Sequence, residues 1–107
     1  MTGRCPRIGK VLEDPSGYEA DMIIFVPESE TDVSAETPVL LLQHGAHQDD
    51  ETTGFRYLLE IGVVAEVLDG LSVALAAEPN LRQRLAAVLH YAEFDAYPDV
   101  ATIRALS

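Results

Sequence analysis

Short apolar runs separated by polar stretches occupy the first sixty residues of the chain. Residues 21–26 are mostly β-branched or aromatic and stop at a proline, which is typical of a strand. A second run at 39–43 is too short for a helix and predicts another strand. Residues 55–61 alternate in polarity, with Tyr57 and Leu59 on one side and Leu58 on the other, and predict a third strand.

The period of the pattern changes after residue 61. Apolar residues recur every three or four positions over 62–77, which predicts an amphipathic helix with a break or kink near Gly70. A second helix is predicted over 81–94, because Asn80 is a good N-cap and Gln83 can complete a capping box. Three strands followed by two helices predict an α+β fold, with a small antiparallel sheet and helices on one face.

Length and composition favour one globular domain over residues 1–107, of which 48% are apolar. The segment 1–17 holds a turn signal at Asp14-Pro15-Ser16-Gly17 and is expected to be partly disordered. The apolar runs are far shorter than the roughly 20 residues that span a bilayer, and no secretory signal is visible. The single cysteine fits a reducing compartment, so we expect a bacterial-type cytoplasmic protein.

Charge is the strongest compositional feature. Between Val11 and Phe55 the chain carries eleven acidic residues and no Lys or Arg, and its formal net charge is -11. A negative field of this kind repels nucleic acid and anionic lipid and attracts basic surfaces. We therefore expect a basic protein partner, and no nucleic acid or membrane. The residues expected to bind this partner are Glu28, Glu30, Asp32, Glu36, Asp49, Asp50 and Glu51. Tyr91 and Tyr97, in the aromatic segment at the end of the second predicted helix, are expected to bind it as well.

One local motif carries possible metal chemistry. The run Ala46-His47-Gln48-Asp49-Asp50-Glu51-Thr52 resembles the Ala-His-Pro-Asp-Asp-Glu signature of zinc-dependent sugar N-deacetylases. By that resemblance His47 and Asp50 would bind zinc and Asp49 would be the general base, while His44 is a further candidate ligand. Gln48 replaces the family's proline, and that family folds as a parallel sheet of about twice this length. The motif supports only an alternative hypothesis.

The strand and helix pattern between Gly17 and Val100, with its ending Tyr91-Ala92-Glu93-Phe94-Asp95-Ala96-Tyr97, resembles a family of small, acidic, uncharacterised bacterial proteins. In size and charge these are similar to immunity proteins, which neutralise toxins. The leading hypothesis is a non-enzymatic binding protein of immunity or accessory type that needs no cofactor. The alternatives are a zinc-dependent hydrolase and a homodimeric structural domain.

Overall fold

The computed structural model describes residues 6–30, 32–43 and 54–106, and it confirms the predicted α+β fold. A single turn of 3-10 helix lies at Pro15–Gly17. The other elements, in chain order, are α1 (Ile8–Glu13), β1 (Met22–Pro27), β2 (Leu40–Gln43), β3 (Phe55–Glu60), α2 (Ile61–Leu75), α3 (Leu81–Phe94) and α4 (Val100–Arg104). The strands and the two long helices lie within two residues of their predicted ends.

Strand β1 is the centre of the sheet. The strand order is β2-β1-β3 and both pairings are antiparallel. Ile24 of β1 lies opposite Leu41 of β2 and Leu59 of β3, and all three side chains are buried in the core. The core therefore forms on this face of the sheet, where side chains of all four helices also pack.

Strand β3 contains a β-bulge that the alternating pattern did not predict. Ile24 is paired with Leu59 but Phe25 is paired with Tyr57, so Leu58 is the extra residue in the register. As a result Leu58 and Leu59 are both buried, whereas Tyr57 is 56% exposed. The prediction that Tyr57 and Leu59 share a face is wrong. One inserted residue shifts the alternation, so the side chains before and after it point to opposite faces from those that a regular strand would give.

The long helices cover the sheet. Helix α2 continues through Gly70 without the predicted break and buries Ile61, Val64, Val67, Leu68 and Leu71. At the start of α3, Asn80 and Gln83 form the predicted capping box, with both N–H···O distances 2.8 Å. The Gln83 side chain also donates to the Ile103 carbonyl, which attaches α4 to α3.

Helix α1 is an element that the sequence pattern did not indicate. Its side chains Ile8, Val11 and Leu12 are fully buried in the same core. Six residues are too few to display a helical period, which explains why periodicity missed it. The segment expected to be partly disordered thus contributes core residues from Ile8 onwards, and residues 1–5 lie outside the described part of the chain.

Arg84 joins helix α1 to helix α3. Its guanidinium donates to the carbonyls of Leu12 at 2.8 Å, Glu13 at 3.2 Å and Pro79 at 3.1 Å, and it pairs with Glu78 at 3.3 Å. The side chain is only 16% exposed. The carbonyls of Leu12 and Glu13 lie at the end of α1, where helix carbonyls have no partner within the helix, and this one cation supplies them with a donor.

We expect Arg84→Met, which keeps the apolar stem, to lower the free energy of unfolding by about 2–4 kcal/mol, because the acceptors around it lose a charged donor. Urea unfolding followed by circular dichroism measures the change. The matched control is Arg82→Met, at an exposed position of the same helix, which should change stability by less than about 0.5 kcal/mol. Equal effects of the two substitutions would contradict the structural role of Arg84.

Candidate binding groove

A groove of about 370 Å³ lies where the loop after β1, strand β3 and the second half of α3 meet. Its polar side chains are Asp32, Arg56, Tyr57 and Glu93. Its apolar side chains are Val33, Leu58, Leu89 and Ala92. The surface therefore combines two carboxylates, one guanidinium and one phenol with apolar side chains, and we call it the acidic groove.

Short-range hydrogen bonds shape the loop that carries Asp32. The buried hydroxyl of Thr37 donates to the Glu30 carboxylate at 3.3 Å and accepts the Ser34 backbone N–H at 3.0 Å. The Glu36 N–H in turn donates to the Ser34 hydroxyl. Such side-chain bonds to nearby groups replace regular secondary structure and hold a polar loop in one shape.

A contact with the same loop positions the side chain of Arg56. Its guanidinium donates to the Glu30 carbonyl at 3.3 Å, across the edge of the sheet. Backbone pairing of Glu28 with Gly54, at 2.8 Å, brings the start of β3 against the end of β1. Gly54 has a φ of +85°, a conformation that L side chains rarely adopt, so glycine suits this turn.

The four loop acids expected to bind a partner have different roles. Asp32 lines the acidic groove, whereas the Glu30 carboxylate accepts from Thr37. Glu36 forms an exposed ion pair with Arg7 at 2.9 Å, which is worth about 0–1 kcal/mol at most. Glu28 is exposed beside the end of β1. Among these four, only Asp32 lies in the groove.

Tyr91 and Tyr97 lie away from the acidic groove. Their rings meet edge to face with centroids 5.5 Å apart. At 100° per residue, Tyr91 points from the side of α3 opposite to Leu89, Ala92 and Glu93, which line the groove. Tyr91 and the groove that contains Asp32 therefore lie on opposite sides of α3, so these two predicted partner-binding residues do not form one site. Asp49, Asp50 and Glu51 lie outside the described residues.

Tyr57 is a groove residue whose pKa is shifted from its usual value. Its ring packs edge to face against Phe25, with centroids 6.2 Å apart. Partial burial, and secondly the negative charge of Glu60, raise the pKa of the Tyr57 phenol above its usual 10.0. A phenol with the ordinary pKa is already neutral at physiological pH, and the shift disfavours its ionisation further, so the hydroxyl remains a donor.

The zinc hypothesis cannot be placed in the fold, since His44, His47, Asp49, Asp50 and Glu51 lie outside the described residues. Within residues 6–30, 32–43 and 54–106, no group of three or more His, Cys, Asp or Glu side chains could hold a metal ion. Over the same ranges, no helix is long and apolar enough to cross a membrane.

Comparison with known proteins gives one match. A family model described as a domain of unknown function (DUF7716) covers residues 5–100. The chain belongs to the DUF7716 family. No curated protein and no solved structure matches it. The family match includes every residue of the acidic groove, so the groove lies within the DUF7716 domain.

Three of the groove's polar residues were missed by sequence reasoning. Arg56, Tyr57 and Glu93 come from β3 and α3, outside the long acidic stretch. Glu93 lies between Tyr91 and Phe94, where an acid on a helix end looks like an ordinary solvated residue. An exposed tyrosine beside a bulge could have been found only if the bulge itself had been anticipated.

We expect Tyr57→Phe to remove one ionisation, with a pKa above 10, from the alkaline titration of the tyrosines. Glu60→Gln should lower that pKa only in part, because burial is the larger cause of the shift. The folded state holds this proton more tightly than the unfolded chain, so stability falls as pH rises above 10. Ultraviolet titration of the phenolate measures the step, and an unchanged titration of Tyr57→Phe would contradict the assignment.

Proposed function

We propose that this DUF7716 domain is a non-enzymatic protein that binds a basic protein partner through the acidic groove. The observation that carries the proposal is the composition of the groove, in which Asp32 and Glu93 are combined with the partly exposed apolar side chains of Leu89 and Ala92. An immunity-type or accessory role, in which the domain occupies a basic surface of its partner, is the biological setting that we propose.

The composition of this surface suits a basic side chain. Lysine and arginine combine an apolar stem with a charged head, and the stem can lie on apolar surface while the head stays polar. Leu89 and Ala92, which are partly exposed, offer that apolar surface. The two carboxylates can then bind the head, and the exposed ring of Tyr57 can add a cation–π contact worth about 0.5–1 kcal/mol.

Arg56 does not reverse the charge of the groove. Its guanidinium already donates to the Glu30 carbonyl, and two carboxylates outweigh one cation. The whole chain adds a formal charge of -11, which accelerates the approach of a basic partner and disfavours acidic ones. The groove supplies local fit and the net charge supplies long-range attraction.

A short arginine-rich peptide is the probe for this proposal. We expect it to bind the protein, and the double variant Asp32→Asn/Glu93→Gln to bind about tenfold more weakly, because both carboxylates of the groove are lost. The matched control is Glu66→Gln/Asp69→Asn, which removes the same charge from exposed positions of α2. Fluorescence anisotropy at low and physiological salt measures affinity.

The control separates local fit from net charge. If only net charge mattered, both double variants would lose affinity equally, and the loss would vanish in salt because exposed charges are screened beyond about 8 Å. Equal losses, or no binding of the peptide at low salt, would therefore refute the groove as the binding surface. A larger loss in the groove variant at both salt concentrations supports it.

A homodimer is a second candidate. It is favoured by apolar side chains on the face of the sheet that points away from the helices. By strand alternation and register, that face carries the partly exposed side chains Ile23, Phe25 and Phe55. Leu40 and Leu42 lie on the same face but are already buried within the single chain. Each of these side chains is apolar, and two copies could cover each other's face by a twofold axis.

For this second candidate, light scattering at micromolar concentration should give the mass of two chains, 23.2 kDa being twice the 11.6 kDa of one chain. Phe55→Lys should return the mass to one chain, because a charge would be placed in the apolar contact. Arg56→Lys, at the next position, keeps the charge and is the control. A single-chain mass for the unmodified protein would exclude the dimer.

A further inference from the structure

A second depression, of about 390 Å³, adjoins the acidic groove along helix α3. Asp32 and Val33 line both of them, so the two are continuous beside this part of the loop after β1. The first half of α3 lines the second depression with Leu81, Arg82 and Leu85, whereas the second half of α3 lines the acidic groove. We call the combined surface the α3 trough.

A row of apolar side chains follows α3 along the trough. Its members are Leu81, Leu85, Leu89 and Ala92, and each is partly exposed. At 100° per residue they lie within an arc of about 80° on the helix surface. Each of them also packs against the hydrophobic core, so the fold fixes the position of the row.

The two ends of the trough carry opposite charges. Arg82 lies at the end formed by the start of α3, and Glu93 lies at the other end. Eleven positions separate them, which is about three turns and about 16 Å along the axis, so both point to the same side of α3. Among the residues that the structure describes, the side chains of Arg82, Asp32 and Glu93 have no hydrogen-bond or ion-pair partner. These three charges are therefore available to a bound molecule.

The spacing of the charges suits an extended chain. Alternate side chains of a strand point to one face, and residues i and i+4 are about 13 Å apart on that face. Long charged side chains at these two positions can therefore meet the two ends of the trough. The residue at i+2 points to the same face and lies between them, beside the apolar row.

We propose that the basic partner presents an extended segment to the α3 trough, with a basic residue in the acidic groove and an acidic residue four positions away against Arg82. An apolar residue midway between them contacts the apolar row and loses exposure to water. The inference rests on the proposed function and adds the residue pattern that the partner carries. Charges of opposite sign at the two ends fix the register of the segment on α3.

The probe is a short peptide with one arginine, a leucine two positions away and a glutamate four positions away, made in both chain directions. A comparison peptide has the same residues, but its glutamate is adjacent to the arginine. We expect the better of the two spaced peptides to bind about threefold more tightly than the comparison peptide, because only the wider spacing lets both charges meet their partners. Backbone chemical shifts of residues 81–93 at low salt measure the affinities.

The matched protein variants locate the acidic residue of the peptide. Arg82→Gln should abolish the preference for the spaced peptide, because the charge that the glutamate meets is lost. Arg104→Gln removes the same charge from an exposed position of α4 outside the trough, and it should retain the preference. Equal affinities of the spaced and comparison peptides, or an unchanged preference in Arg82→Gln, would overturn the inference.

The arginine-rich peptide separates this failure from failure of the proposed function. If it binds and loses affinity in the groove variant while the spacing has no effect, only the further inference is wrong. If the arginine-rich peptide does not bind either, both are wrong. A second copy of the chain is the competing occupant. A two-chain mass that persists in Phe55→Lys and falls to one chain when the spaced peptide is added would place that copy in the trough and overturn the inference.

Discussion

Burial of one face of a three-stranded sheet beneath the helices is the interaction on which the whole fold depends. So small a sheet has little stability unless a hydrophobic face is covered. Ile24 and Val26 of the central strand are fully buried, and each such side chain contributes about 1.5–3 kcal/mol when removed from water. Helices α1, α2 and α3 supply the opposing side chains. Their positions are therefore set by the need to cover this face.

The acidic groove is a consequence of that packing. Arg84 holds the first half of α3 against the end of α1, while Val88 anchors the middle of the helix in the core. The second half of α3 then extends past the bulge of β3, and the loop after β1 closes the third side. The bulge matters here because it buries Leu58 as well as Leu59, leaving Tyr57 exposed at the rim.

Regular periodicity explains which parts of the fold the sequence could predict. Strands and helices that repeat over several residues were found with nearly correct ends, and the capping box at Asn80 was read from two residues. Helix α1 was too short to show a period. The bulge at Leu58 inserts a single residue, which interrupts the alternation of side chains between the two faces of the sheet. The roles of Arg84 and of the groove residues arise from contacts between segments that are distant in sequence. No spacing pattern within one segment of the sequence can indicate such contacts.

The distribution of acidic residues shows why net charge alone could not locate the acidic groove. Of the four loop acids, Glu30 and Glu36 are engaged with Thr37 and Arg7, while Asp32 joins Glu93, a residue sixty-one positions away, in one groove. Composition determines the sign of the long-range field, which depends on the sum of charges. Local recognition depends instead on which carboxylates stand beside apolar surface, and only the folded chain determines that arrangement.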